Sequence, residues 1–203
     1  MDVARPYAAV TPSLEGDILV VLAGTTQALT GARVAQLVRR GTERGVQKAL
    51  DRLVDHGIVE RQPAGRAYLH VLNREHLAAP IAEALAGLRA ALLARLRDEL
   101  ANWDPAPAHA SMFGSAARGD GDTGSDIDLL VVRPATVDEE DPVWREQLDR
   151  LALHVQSWTG NHAGIIELGE AELDRPSPSL SDVRNDGIDL AGTPIRSLLG
   201  SPR

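Results

Sequence analysis

Cysteine is absent from the 203 residues, so the chain holds no disulfide framework, no thiol nucleophile and no cysteine zinc site. That fits a reducing compartment, and a cytoplasmic location is expected. Aromatic residues are scarce, with one Phe, two Tyr and three Trp. The core therefore has to be built from aliphatic side chains. The longest apolar run, residues 18–23, is far shorter than the roughly 20 residues a helix needs to span a bilayer. Residues 1–13 lack the basic flank and apolar stretch of a secretory leader, so no membrane association is expected. His154 and His162 have no partners at zinc-binding spacing, and no Ser/His/Asp arrangement is evident.

Charge is unevenly distributed. Residues 1–104 carry 13 Lys plus Arg against 12 Asp plus Glu, whereas residues 105–203 carry 8 against 17. Within 25–75 basic residues outnumber acidic ones nine to five. The first half can face a polyanion, and the second needs a metal ion or a local basic patch to hold one.

Spacing predicts three short helices at the start. Residues 13–24 form the first, with Ser13 as N-cap and Gly24 as its end. A second opens at Thr30, with Val34, Leu37 and Val38 on one face. Thr42 caps a third, in which Val46, Leu50, Leu53 and Val54 recur at helical intervals before Gly57 stops it. Residues 58–61 and 68–72 then read as a hairpin through a turn at 63–66. Three helices followed by a hairpin with an arginine-bearing tip resemble the winged helix-turn-helix of bacterial regulators, over about residues 13–76. The resemblance implies double-stranded DNA as a partner. Thr42, Arg44, Gln47 and Lys48 of the third helix would enter a major groove, and Arg66 at the wing tip would approach a phosphate or minor groove.

Beyond Pro80, Leu85, Leu88, Leu92, Leu96 and Leu100 make one stripe, read as a long amphipathic linking helix that packs against the rest or pairs two subunits in a homodimer. The proline-punctuated segment 103–110 ends it. The most informative stretch follows at 112–132, MFGSAARGDGDTGSDIDLLVV. Gly114 and Ser115 precede a short helical turn with backbone N–H groups free for an anion. Ten residues later, Asp126 and Asp128 flank Ile127 at the head of an aliphatic strand. Period-2 alternation puts the two acids on one face, about 6 to 7 Å apart, close enough to share a divalent cation.

Two rival motifs fail in this stretch. Gly119, Gly121 and Gly124 satisfy G-x-G-x-x-G but lead into a strand rather than a helix. Asp120, Asp122 and Asp126 lack the glycine and closing glutamate of a calcium loop.

Gly114-Ser115, ten residues and Asp126-Ile127-Asp128-Leu129 resemble the signature of the polymerase-beta-like nucleotidyltransferase superfamily, especially its minimal and kanamycin-type members. Arg118-Gly119 and Ser125 are usual companions of that signature. The resemblance, extending over roughly residues 105–200, implies transfer of a nucleoside monophosphate from a nucleoside triphosphate, first of all ATP, to a protein, nucleic-acid or small-molecule acceptor. It also implies that Asp126 and Asp128 hold Mg2+ and that Gly114, Ser115, Arg118 and Ser125 contact the nucleotide. A third carboxylate normally completes the site from a later strand, here expected at 163–168, AGIIEL. Gly164 occupies the aligned position. Glu167 is the only acid in that strand and serves as the candidate third catalytic carboxylate, although a regular strand turns it to the opposite face.

The expected architecture is α+β: a winged helix-turn-helix over 1–78, a linker helix over 79–104, and a nucleotidyltransferase-fold domain, a mixed sheet flanked by helices, over 105–203. The expected function is Mg-dependent nucleotidyl transfer by a DNA-binding protein. The alternative is a transcriptional regulator whose degenerate nucleotidyltransferase domain senses nucleotide.

Overall fold

The computed structural model describes residues 1–175 and 178–199, so 176–177 and 200–203 of the expected second domain lie outside the described residues. The chain divides into two compact units, Pro6–Arg89 and a second built from Ala90 onward together with Met1–Arg5.

In the first unit, each helix begins at a residue able to satisfy its free N–H groups. Ser13 caps α1 (Leu14–Ala23). Strand β1 (Leu29–Thr30) then leads into α2 (Gly31–Val38), which Thr30 caps. Thr42 caps α3 (Glu43–Asp55). Strands β2 (Val59–Ala64) and β3 (Ala67–Leu72) pair in antiparallel register through a turn at Gly65-Arg66, where Gly65 has φ +62. The turn is two residues shorter than the sequence suggested. β1 was missed by sequence reading; it adds to β3 and gives a three-stranded sheet in the order β1-β3-β2. Ile18, Leu22, Val34, Val46, Ala49, Leu50 and Leu72 form the core between helices and sheet.

Residues 79–104 form two helices rather than one. α4 (Ala79–Ala86) ends at Gly87, and α5 (Leu88–Ala101) follows. Glycine is a poor helix former, so an apolar run broken by it favours a stop there. The two helices also serve different cores. α4 buries Ala79 and Ala82 in the first unit's core, whereas Leu92, Leu96 and Leu100 of α5 are buried in the core of the second. Those three leucines are spent on packing and offer no surface to a second copy.

The second unit is a four-stranded mixed sheet with helices on both faces. β4 (His109–Phe113) runs into α6 (Gly114–Arg118), and β5 (Ile127–Arg133) follows a loop. After α7 (Pro142–Thr159), β6 (Ala163–Gly169) lies parallel to β5. α8 (Pro178–Asp186), β7 (Ile188–Gly192) and α9 (Ile195–Leu198) complete the unit. The strand order is β6-β5-β4-β7, with β4 antiparallel to both neighbours. Alternation sorts β5 cleanly: Ile127, Leu129 and Val131 face the core of α5 and α7, while Leu130 and Val132 face that of α8 and α9. Trp103 and Trp144 meet edge to face beneath the first of these faces, with ring centroids 5.4 Å apart. Among the described residues, no helix is long and apolar enough to cross a membrane.

Candidate functional site

Asp126 and Asp128 emerge where the loop after α6 enters β5. Register pairs Asp128 with Phe113 of β4 on one side and with Gly164 of β6 on the other. Two glycines make room for its carboxylate. Gly114 sits at φ +66, where a Cβ would collide with Asp128 Oδ2. A Cβ on Gly164 would come within 2.9 Å of Asp128 Oδ1 and 3.8 Å of Asp126 Cβ. Asp128 is half-buried, and burial, followed by repulsion from Asp126, pushes its carboxyl above the ordinary carboxylate value; Arg118 offsets part of the rise. Adjacent carboxylates of this kind call for a cation.

The loop that delivers the pair is held by its own hydrogen bonds. Asp122 Oδ1 accepts from the Gly124 N–H at 2.9 Å and from the Ser125 hydroxyl at 3.0 Å. These bonds hold the Asp122 carboxyl below its usual value. The Ser125 hydroxyl in turn accepts from the Asp122 N–H at 3.0 Å, so it is occupied in closing the turn. Asn161 Nδ2 donates to the Ser125 carbonyl at 2.7 Å and to the Met1 carbonyl at 3.1 Å. Sequence reading missed Asn161, because it acts across 36 residues and its Thr-Gly-Asn context signals only a turn. Arg118 reaches Asp120 at 3.2 Å and lies 3.9 Å from Asp186 of α8.

Glu167 is not brought to this pair. It lies opposite Val131, on the sheet face covered by α5 and α7, because three residues along a regular strand reverse the side. There Oε1 accepts from Arg133 Nε at 3.0 Å and Trp144 Nε1 at 2.8 Å, and Oε2 from Arg145 Nη1 at 3.1 Å. No bulge interrupts the β5–β6 register to turn it back.

Among the described residues no group of three His, Asp or Glu side chains is placed to hold a metal ion. Two carboxylates still suit Mg2+, which characteristically takes one or two carboxylates together with substrate phosphates rather than an all-protein cage. Asp126 and Asp128 therefore fit a divalent cation whose remaining ligands come from outside the chain.

In the first unit, nine of the ten Lys and Arg side chains fall into two sets. Four are neutralised: Arg40 by Asp17 at 3.2 Å, Arg61 by Asp51 at 3.4 Å, Arg52 by Glu15 and Arg74 by Glu83. Arg33, Arg39, Arg44, Lys48 and Arg66 have no acid within ion-pair distance among the described residues, and all five are exposed. Thr42 is engaged as the N-cap of α3, its hydroxyl oxygen accepting from the Gly45 N–H at 3.1 Å. Gln47 donates to Asp51 at 3.1 Å and lies against Gly31 of α2.

A mixed four-stranded sheet, flanked by helices and carrying a Gly-Ser turn beside a pair of strand carboxylates, defines the class of site. The family model described as "Nucleotidyltransferase domain" matches residues 93–182, which supports placing this part of the chain with the nucleotidyltransferase superfamily. No curated protein and no solved structure matches the chain.

Proposed function

We propose that the protein transfers a nucleoside monophosphate from a Mg2+-bound nucleoside triphosphate, ATP first among them, to an acceptor, and that its first unit is a winged helix that binds double-stranded DNA. The observation that carries the transfer reading is the Asp126–Asp128 pair at the head of β5, opposite the Gly114-Ser115 turn, inside the matched segment. Asp126 and Asp128 hold the metal, and a bound divalent ion supplies positive charge against the triphosphate and the departing pyrophosphate. Gly114, Ser115 and their amides meet the terminal phosphates, and Arg118 adds a charged contact. Ser125 contributes through the turn it closes with Asp122, which aims Asp126.

Incubation with α-phosphate-labelled nucleoside triphosphates, Mg2+ and cell extract tests this. Label should enter an acceptor with the wild-type chain and not with the Asp126→Asn/Asp128→Asn double variant. The bare Gly164 position favours a second reading, in which the unit senses nucleotide and biases a transcriptional regulator. Saturable nucleotide binding with no transfer in the same experiment supports that reading and rejects the first.

The DNA reading is supported by the sheet order β1-β3-β2 behind three helices and by the five unpaired cations. Arg44 and Lys48 lie one turn apart on α3, and Arg66 sits in the two-residue turn of the hairpin. A salt-dependent mobility shift with the DNA upstream of the gene is expected. Arg44→Ala and Lys48→Ala should each weaken it and lower the slope of log affinity against log salt by about one if the side chain meets a phosphate. A shift unchanged in the double variant rejects α3 as the DNA-contacting helix.

A further inference from the structure

The geometry points to β6 as a docking edge: an extended protein segment adds to it as an antiparallel strand and presents a Ser, Thr or Tyr hydroxyl to Asp126 and Asp128 across Gly164. This inference rests on the transfer reading above and names its acceptor. Within the second unit β6 ends the sheet, and every one of its residues keeps partial exposure. Such an edge is a template for another strand, and proteins commonly blunt it with proline, lysine, a bulge or short length. The opposite edge is treated so. Strand β7 has five residues, exposes Asp189, and meets β4 through a shift in register between Ala110 and Ser111. Strand β6 has seven residues in unbroken register with β5 and contains neither proline nor lysine.

The phase of the ladder fixes what this edge offers. The Ile127 N–H donates to the His162 carbonyl at 2.9 Å. In a regular parallel ladder Gly164 and Ile166 then direct their main-chain groups to β5, while Ala163, Ile165 and Glu167 direct theirs outward. The Gly169 N–H already donates to Glu172 Oε2 at 2.8 Å, so the open stretch ends before it. An antiparallel strand bonded to those three residues sets one of its own opposite Gly164, in the closer, non-hydrogen-bonded type of pair. The side chain of that residue shares a face with Gly164 and Asp128, at about 9 Å from Asp128 between Cα atoms. Glycine leaves the span clear, and Asp128 Oδ1 leans into it, 2.9 Å from where a Cβ would stand. Beside Glu167, the exposed Glu139 and Glu140 share Arg145 at 3.6 Å each, which suits Lys or Arg in the incoming segment. In the transfer step the hydroxyl oxygen bonds to the α-phosphorus, pyrophosphate leaves with the electron pair of the broken P–O bond, and the hydroxyl proton passes to solvent.

Alternation along the acceptor is the test. Full-length protein is incubated with α-phosphate-labelled ATP, Mg2+ and cell extract, the labelled residue is mapped by mass spectrometry, and a short synthetic peptide centred on it becomes the probe. N-methylation of the residue on either side of the acceptor removes a donor aimed at β6 and should cut transfer on the order of 10-fold. N-methylation of the acceptor residue itself, whose N–H points away, should leave transfer unchanged. In the protein, Ala163→Pro removes one outward donor and spares the β5 ladder, and proline is tolerated at the first residue of an edge strand. The KM for the peptide should rise on the order of 10-fold while Mg-ATP binding stays at the wild-type level. Equal effects of N-methylation at all three positions, or a block confined to the acceptor residue, overturn antiparallel strand addition. Label found only on nucleic acid or a small molecule overturns it too, and in each of these cases transfer stands. No label above the Asp126→Asn/Asp128→Asn control rejects transfer itself and this inference with it.

Discussion

Glu167→Ala should destabilise the second unit by about 3–5 kcal/mol, the cost of leaving a largely buried charge without its partner. The carboxylate and Arg133 are only 17% and 15% exposed at their side chains, so solvent screens the pair little. Removing it orphans the Arg133 Nε, the Trp144 indole N–H and one arm of Arg145 together. Arg133 also donates to the Val137 carbonyl, so the loss reaches the connection between β5 and α7. Thermal or denaturant unfolding should register a fall in Tm on the order of 10 °C. Transfer per folded molecule should stay at the wild-type level, because Glu167 faces away from Asp128. A Glu167→Ala protein of unchanged stability that fails to transfer would return Glu167 to the site and overturn its placement as a structural anchor. Glu167→Gln keeps an acceptor oxygen for the indole and should cost less.

That distinction marks how far the sequence reaches. Strand alternation alone turns Glu167 away from Gly164, but it names neither Arg133 nor Trp144 as its partner. Those contacts join residues 34 and 23 positions apart and exist only once β6 has paired with β5 and α7 has packed over both. Caps were legible for the opposite reason. Ser13 and Thr42 act on N–H groups three residues ahead, a relation contained within a single turn of chain. The Gly114-Ser115 turn and Asp126-x-Asp128 are likewise local, and their meeting across the β4–β5 pairing followed from a single antiparallel register. Strand β1 was not legible. Two residues carry no periodicity, and their partners, Leu69 and His70, lie some forty positions away. The break at Gly87 was missed because the leucine spacing continues through it, even though the helices on its two sides serve different cores. Asn161 was invisible for the same reason as Glu167's partners: its value lies in reaching Ser125, not in its neighbours along the chain.

Asp128→Asn should move stability and activity in opposite directions. Burial first, and then Asp126, raise the Asp128 carboxyl above its ordinary value, so the folded chain holds that proton more tightly than the unfolded one. By linkage, the contribution to stability is fully present below the unfolded-state pKa and is lost as pH rises through the raised folded-state value. At neutral pH the ionised carboxylate is therefore a net cost to the metal-free protein. Asparagine cannot ionise, so the variant should be at least as stable as wild type at pH 7, and the difference should shrink as pH falls toward about 4. Denaturant titrations at the two pH values measure this directly. Nucleotidyl transfer should meanwhile fall on the order of 1000-fold, equivalent to about 4 kcal/mol of transition-state stabilisation, because the charge meant for the metal–triphosphate is gone. A variant that lost stability and transfer together would make Asp128 an ordinary structural acid. A variant that gained stability while losing transfer would identify a carboxylate kept ionised, against the preference of the fold, for the ion it receives.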